Sequence, residues 1–131
     1  MLLDTSGLLC YHHRAEHQHA HAVTFFKTAP VRLTHNYVLA EFVPLCQARG
    51  LNRIDALAFV ADLLNNPLVE MLWVDEILHR AALTLLQARL DKTYSLCDAA
   101  SFVLMQHRGI TEALTTDHHF EQEGFVRLLE P

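Results

Sequence analysis

Short apolar runs alternate with segments of helical periodicity along the 131-residue chain. Strands that alternate with helices predict a mostly parallel sheet, with helices on both faces and right-handed crossovers. The predicted fold class is therefore α/β, a three-layer α/β/α domain around a mostly parallel central sheet of about 4–5 strands. The predicted strands are 1–3, 31–34, 69–74, 113–115 and 125–129, and the predicted helices are 6–13, 18–28, 36–49, 54–64, 75–90 and 95–108, with a short helical turn before the last strand.

The fourth predicted helix has an apolar stripe along one face, at the spacing of an amphipathic helix. An Asn65-Asn66-Pro67 sequence ends this helix. The stripe, at i, i+3, i+4, i+7 and i+10, consists of Ile54, Leu57, Ala58, Ala61 and Leu64.

Length and composition indicate one globular domain over residues 1–131. Hydrophobic residues make up 51% of the chain, which argues against a disordered protein. No apolar run approaches the roughly 18–20 residues that a membrane span needs. The three cysteines, Cys10, Cys46 and Cys97, are scattered and odd in number, which favours a reduced, cytoplasmic chain.

Two aspartates directly follow predicted strands. Asp4 comes after Met1-Leu2-Leu3, and Asp117 comes after the run 113–116. In a parallel sheet, ligands bind in the crevice beyond the carboxyl ends of the strands. Aspartate is also a favoured helix N-cap, so each residue taken singly could simply cap the next helix. Their equivalent positions favour a shared site.

Glu41 lies within an apolar stretch of the third predicted helix. A carboxylate on the buried face of a helix is costly unless it is paired. The sequence therefore predicts either a ligand for a cation or a glutamate paired with a core arginine or histidine. The helical neighbours that suggest burial are Tyr37, Val38, Pro44 and Leu45.

Asp98 follows Ser95-Leu96-Cys97 just before an apolar helix, a pattern with the form of a capping box. Capping alone would explain it, but it also places Asp98 in a first helical turn at the edge of the same crevice. Four carboxylates that converge would repel one another, and a hard divalent cation would remove that penalty. Ligands that are all oxygen suit Mg²⁺ or Mn²⁺ better than Zn²⁺, and such ions support in-line phosphodiester hydrolysis.

The segments around these four acids resemble the PIN domain, the metal-dependent nuclease fold of VapC-type toxins. The last two segments are the most specific, and together the four cover nearly the whole chain. The matching segments are Leu2-Leu3-Asp4-Thr5-Ser6, Ala40-Glu41-Phe42, Tyr94-Ser95-Leu96-Cys97-Asp98-Ala99-Ala100-Ser101-Phe102 and Ala113-Leu114-Thr115-Thr116-Asp117-His118-His119-Phe120.

The resemblance implies an endoribonuclease that uses Mg²⁺ or Mn²⁺. It implies that Asp4 and Asp98 are the firmest metal ligands, and that Glu41 and Asp117 complete the acidic quartet by holding a second ion or orienting the attacking water. Supporting roles at the site fall to four polar neighbours. Thr5 and Ser6 support the strand end, Ser95 caps the helix and Thr116 orients Asp117.

The resemblance also implies partners and a second possible function. It suggests an RNA substrate, a small cognate antitoxin, a homodimer and a cytoplasmic location without membrane contact. The alternative is a catalytically silent PIN-like module, whose acidic groove only binds a basic antitoxin or another peptide. A phosphatase of the haloacid type is disfavoured, because Ser6 stands where that class needs a second aspartate.

The net charge of −5 at first argues against a nucleic-acid binder, since such proteins are usually basic. Four of the 15 acidic residues are assigned to one pocket, however, and the remaining eleven nearly balance the 10 basic ones. Most of the net negative charge is then concentrated in one site for cations. The local basic residues that could contact RNA are Arg14, Arg89, Lys92 and Arg108.

Ten histidines give two further features. His118 and His119 follow Asp117 directly, where a surface turn is expected and contact with substrate is the alternative. The other feature is a histidine-rich segment whose i,i+4 spacing could bind Zn²⁺ or Ni²⁺ on a helix. The favoured interpretation is a solvated helix face. A third interpretation is that some of these histidines approach the RNA backbone and add positive charge below about pH 6.5. The segment contains His12, His13, His17, His19 and His21.

Overall fold

The computed structural model describes residues 1–131 as a five-stranded sheet with seven helices. All strand pairs are parallel, in the order β3-β2-β1-β4-β5, which confirms the predicted α/β class. The strands are β1 Leu2–Leu3, β2 Leu33–His35, β3 Glu70–Leu72, β4 Glu112–Leu114 and β5 Val126–Arg127. The helices are α1 Thr5–His12, α2 His19–Thr28, α3 Asn36–Ala48, α4 Arg53–Asn65, α5 Glu76–Gln87, α6 Leu96–Arg108 and α7 His119–Gln122.

The central strand β1 contributes to the core on both faces of the sheet. Leu2 and Leu3 are both fully buried, and each belongs to a different hydrophobic cluster. Successive side chains of a strand point to opposite faces, so this two-residue strand serves both layers. Leu3 packs with Phe42 in one cluster, and Leu2 packs with Phe102 in the other.

The strand order creates a crevice beside β1. The chain passes from β1 to β2 and β3 on one side, and then returns to place β4 on the other side of β1. Ligands of open parallel sheets bind at the point where the order reverses, beyond the carboxyl ends of the strands. The residues that follow β1 and β4 therefore meet at this crevice.

Helix α1 lies very close to β4 through Gly7. A Cβ atom at Gly7 would come within 1.8 Å of the carbonyl oxygen of Leu114. Only glycine allows this approach, which holds the start of α1 against the carboxyl end of β4.

The apolar stripe predicted for α4 faces solvent, contrary to the burial expected of such a face. Ile54 is 78% exposed, and Leu57 and Leu64 are also exposed. The helix packs instead through Ala56 and Leu63, with Phe59 and Val60 half-buried beside them. Two stripes of α4 are apolar, so periodicity alone does not decide which of them meets the core.

None of the helices combines the length and apolar character that crossing a bilayer requires.

Candidate active site

A pocket of about 360 Å³ lies at the carboxyl ends of β1 and β4. It brings together all four acids that the sequence places in one site, and no lysine or arginine lines it. The lining residues are Asp4, Thr5, Ser6, Glu41, Pro44, Leu45, Asp98 and Asp117.

Asp4 lies between β1 and α1 and is only 5% exposed. It occupies the N-cap position of α1, but its side chain makes no capping hydrogen bond. Its Oδ2 atom instead accepts a hydrogen bond from the hydroxyl of Thr115, at 2.7 Å. The pKa of Asp4 is raised to about 7, mainly by burial and also by the nearby charges of Asp98 and Asp117, against the lowering by the hydrogen bond from Thr115. Capping therefore does not explain this residue.

Thr115, which follows β4, connects three parts of the pocket and was not identified from the sequence. Its hydroxyl is fully buried and donates to Asp4. The same oxygen accepts the backbone N–H of Asp117 at 3.0 Å and lies 3.1 Å from the hydroxyl of Ser6. With its proton given to Asp4, Thr115 accepts from Ser6 as well, so all its hydrogen-bonding capacity is used.

Thr116 does not play the orienting role that the sequence suggested. Its backbone N–H donates to the Ser6 hydroxyl at 3.0 Å, whereas the N–H of Asp117 is bound by Thr115. The difference of one residue follows from the alternation of side chains along the strand, which turns Thr115 inward.

Asp98 is held at the start of α6 by the predicted capping box. The Ser95 hydroxyl accepts the backbone N–H of Asp98 at 2.9 Å, and the backbone N–H of Ser95 donates to Asp98 Oδ2 at 3.0 Å. The ring of His119 contacts the same Oδ2 through Nδ1 at 3.1 Å. Burial raises the pKa of Asp98, and the charge of Asp117 adds to this effect. Oδ1 is the carboxylate atom of Asp98 that no protein donor engages.

Glu41 lies at the mouth of the pocket, and the prediction that it is buried was wrong. Its side chain is on an exposed part of α3, and its Oε1 atom accepts the hydroxyl of Thr5 at 3.1 Å. Two of its apolar helical neighbours, Pro44 and Leu45, line the same pocket. These neighbours form a pocket wall and not part of the core, which is why the pattern around Glu41 suggested burial.

His119 enters the site, although the sequence favoured a surface turn for it. Its side chain is 15% exposed, and Nδ1 lies 3.1 Å from Asp98 Oδ2 and 3.4 Å from Asp117 Oδ1. Its Nε2 atom lies 3.1 Å from the hydroxyl of Thr93. His118 is 67% exposed, with Nδ1 at 3.7 Å from Asp117 Oδ1. The position of both residues directly after Asp117 was the only signal for them in the sequence.

The structure brings none of the four suggested RNA-contacting residues into the pocket lining. Arg89 pairs with Glu123 at 2.8 Å, and Lys92 lies 3.2 Å from the neighbouring Asp91. Arg14 lines a separate cavity against α2. Arg108 pairs with Glu70, the first residue of the edge strand β3, and so lies at the amino end of that strand, away from the carboxyl ends of β1 and β4.

The histidine-rich segment 12–21 does not gather into a metal site. A turn separates the end of α1 from the start of α2 within this segment, so the i,i+4 spacings do not fall on one helix. The His12 ring packs against Phe59, with centroids 4.6 Å apart, and His19 Nδ1 contacts the carbonyl of Cys10.

The pocket fits a hard divalent cation. Two of its carboxylates are buried with raised pKa values, and no basic side chain in the lining offsets their charge. An arrangement of carboxylate and hydroxyl oxygens at the end of a cleft is the donor set that Mg²⁺ and Mn²⁺ prefer. Asp4 and Asp98 would supply the inner ligands, with Glu41 and Asp117 on the open side.

Known proteins are similar to this chain over nearly its full length. The profile of the family described as "PIN domain" matches residues 1–125. The curated "23S rRNA-specific endonuclease VapC20" of two strains of Mycobacterium tuberculosis is 30% identical over 129 residues, which is 98% of this chain and 97% of that protein. The crystal structure of Mycobacterium tuberculosis VapC20, described as a sarcin-ricin loop cleaving toxin, superposes with a TM-score of 0.87. It covers 99% of this chain and 98% of its own, at 30% identity.

With the family profile covering residues 1–125 and the relative aligned almost end to end, this chain belongs to the PIN domain family.

Proposed function

We propose that this chain is a divalent-cation-dependent endoribonuclease of the VapC type, the toxin of a toxin–antitoxin pair. The observation that carries the proposal is the convergence of four carboxylates from four segments in one pocket without basic side chains. Its similarity to a 23S rRNA-specific endonuclease supports RNA, and ribosomal RNA in particular, as the substrate. Ribosomal RNA also suggests the cytoplasm as its location.

Two carboxylate oxygens are the proposed inner ligands. Asp98 Oδ2 is already engaged by Ser95 and His119, so Oδ1 is the atom that would hold the ion. Asp4 Oδ2 accepts a hydrogen bond from the hydroxyl of Thr115, so Asp4 Oδ1 is likewise the atom that would hold the ion. These hydrogen bonds fix each carboxylate before the ion arrives, as supporting contacts do for metal ligands generally.

The remaining two acids are the proposed partners of the attacking water. Glu41 Oε1 accepts the hydroxyl of Thr5, and the exposed carboxylate can accept a further hydrogen bond from a water at the pocket mouth. Asp117 Oδ1 accepts the backbone N–H of His119 at 2.9 Å, and Asp117 lies with Glu41 on the open side of the pocket. Bound Mg²⁺ or Mn²⁺ would supply a water of lowered pKa and stabilise the leaving oxygen of the phosphodiester.

RNA would approach from the side of the pocket that carries the loop before α6. Thr93 in this loop contacts His119, and Arg89 and Lys92 belong to the same loop, outside the pocket lining. Lys92 is paired with the exposed Asp91, and a surface pair of this kind is weak enough for a phosphate to replace the acid. Arg89 is paired with Glu123, whose side chain is only 6% exposed, so Lys92 is the more available of the two. Arg108 lies beside the edge strand β3, away from the pocket, and is not proposed to contact RNA.

A small antitoxin and a second copy of the chain are the proposed protein partners. Several large apolar side chains are exposed, which is typical of surfaces that other chains cover. Among them are Ile54 on α4 and Trp73 and Ile77 near α5. Light scattering of the purified chain, alone and with the antitoxin co-expressed, tests both associations.

Cleavage of RNA with and without a chelator tests the activity. The wild-type protein should cleave with Mg²⁺ or Mn²⁺ and stop when the ion is removed. Asp98→Asn should lose at least about 100-fold in rate, because it removes a charged ligand and keeps the fold. Asp62→Asn, which changes an exposed acid on α4, is the matched control and should cleave normally. Wild-type levels of cleavage by Asp98→Asn would contradict the mechanism.

The substrate is tested with a synthetic sarcin-ricin stem-loop and a variant whose loop is closed by base pairing. Sequence-specific nucleases of RNA usually bind unstacked loop bases, so the open loop should be cleaved and the closed one spared. Absence of chelator-sensitive cleavage on these RNAs and on total RNA would favour the silent peptide-binding module.

A further inference from the structure

We propose that Asp117, His118 and His119 form a second cation site, which takes a transition-metal ion such as Zn²⁺ beside the all-oxygen pocket. One ligand atom from each of the three residues lies within 4.8 Å of the others. His119 Nδ1 is 3.4 Å and His118 Nδ1 is 3.7 Å from Asp117 Oδ1. In residues 1–131, no other three histidine, cysteine, aspartate or glutamate side chains bring their ligand atoms within this distance of one another.

The two separations that join the histidines to Asp117 fit the coordination of zinc. Zn²⁺ binds imidazole nitrogen and carboxylate oxygen at about 2.0–2.1 Å, so two tetrahedral ligands are about 3.3 Å apart. The two observed distances are close to this value. The His118 side chain is 67% exposed, so its ring can rotate and bring Nδ1 a few tenths of an ångström closer to Asp117. Water can complete the coordination.

The surroundings of His119 can present its Nδ1 lone pair to an ion. The Thr93 hydroxyl, 3.1 Å from Nε2, can accept a hydrogen bond from the Nε2–H tautomer. In this tautomer the Nδ1 lone pair faces Asp117 Oδ1 at 3.4 Å. In the other tautomer Nδ1–H donates to Asp98 Oδ2 at 3.1 Å. An ion bound at Nδ1 would therefore replace the hydrogen bond to Asp98. The backbone N–H of His119 also fixes Asp117 Oδ1 at 2.9 Å. A hydrogen bond to the second nitrogen is the usual support of a metal-binding histidine.

The nitrogen ligands distinguish this site from its neighbour. Imidazole suits Zn²⁺, Ni²⁺ and Cu²⁺, whereas carboxylates and water suit Mg²⁺ and Mn²⁺. Asp117 belongs to both sites, so an ion held by the two histidines would take Asp117 away from the carboxylate pocket. Zn²⁺ should therefore inhibit cleavage supported by Mg²⁺. This inhibition rests on the proposed nuclease function, but the binding of Zn²⁺ does not.

Calorimetric titration of Zn²⁺ into the full chain, stripped of metal and then saturated with Mg²⁺, tests the site. The wild type should bind one Zn²⁺ ion here, and His118→Ala should weaken that binding at least about tenfold. His17→Ala is the matched control, because His17 is also an exposed histidine but lies outside the cluster. Unchanged affinity in His118→Ala, or an equal loss in His17→Ala, would overturn the proposal.

Cleavage assays give the second readout. His118→Ala should keep its Mg²⁺-dependent cleavage and need about tenfold more Zn²⁺ for half inhibition. An identical half-inhibition concentration in both proteins would overturn the shared use of Asp117. If neither protein cleaves RNA, the proposed function fails, and the Zn²⁺ titration still decides the metal site.

Discussion

At the scale of single residues, the hydroxyl of Thr115 determines how two of the pocket acids are held. It donates to Asp4 Oδ2 and accepts the N–H of Asp117, inside a fully buried position. The donated bond favours the ionised form of Asp4, whose pKa burial raises. Thr115 thus keeps a buried carboxylate closer to the charged state that an ion requires.

Replacing this hydroxyl by a methyl group tests its role. Thr115→Val keeps the shape but leaves the Asp4 oxygen, the Asp117 N–H and the Ser6 hydroxyl without their partner. We expect a loss of about 1–3 kcal/mol in the free energy of unfolding and about 10–100-fold in metal-supported cleavage. Thr116→Val is the control, because the Thr116 hydroxyl makes no hydrogen bond. Equal effects in the two variants, by urea unfolding and rate, would contradict this role.

The sequence identified the acids and the capping residue Ser95 but missed Thr115, for a physical reason. A charge at the end of an apolar strand stands out, which is how Asp4 and Asp117 were found. A threonine in a strand does not, because β-branched residues are common there whatever their hydroxyl binds. The position of Thr115 becomes informative only once β1 and β4 are known to be neighbours.

At the scale of secondary-structure elements, most of the fold was predictable because each element has a local signal. Helix α6 begins at a capping box and ends at Gly109, which has a positive φ of 64°. The packing of α4 was not predictable in the same way. Both of its long faces carry apolar residues, and the choice between them depends on what α3 and α1 present to it.

The contact between α1 and β4 is the element-level feature that places Asp4 against Thr115. Gly7→Ala would put a methyl group 1.8 Å from the Leu114 carbonyl oxygen, and neither backbone can move without disturbing the pocket. We expect a loss of about 3 kcal/mol or more in the free energy of unfolding.

Gly50→Ala is the control for this change. Gly50 has a φ of 71° but no atom near its Cβ position, so alanine there costs only the backbone strain, about 1–2 kcal/mol. Urea unfolding compares the two. A Gly7→Ala protein as stable as Gly50→Ala would show that α1 can move away from β4.

At the scale of the whole molecule, the acidic pocket couples stability to pH. The pKa of Asp4 is about 7 in the folded chain, against an ordinary value of 3.8, and the pKa of Asp98 is raised as well. Between about pH 3.8 and about pH 7, Asp4 has released its proton in the unfolded chain but still holds it in the folded chain. The metal-free protein therefore loses stability as the pH rises through this window.

Asp4→Asn removes the largest part of that dependence. Below about pH 4 the variant and the wild type should differ little, since Asp4 is protonated in both states of the wild type. Near pH 7.5, without metal, the variant should be more stable by up to about 4 kcal/mol, at about 1.4 kcal/mol for each unit of pKa shift. Unfolding free energies across this range measure the difference, and a constant difference would contradict it.

Divalent cations should reverse the pH trend of the wild type. An ion needs Asp4 and Asp98 without protons, so Mn²⁺ should raise the melting temperature strongly near pH 8 and weakly near pH 5.5. Asp4→Asn lacks one ligand and starts without the repulsion that the ion relieves, so its gain with Mn²⁺ should be much smaller at both pH values. Thermal unfolding with and without Mn²⁺ measures both gains. An equal rise in the two proteins near pH 8 would mean that the stabilising ion binds outside the carboxylate pocket.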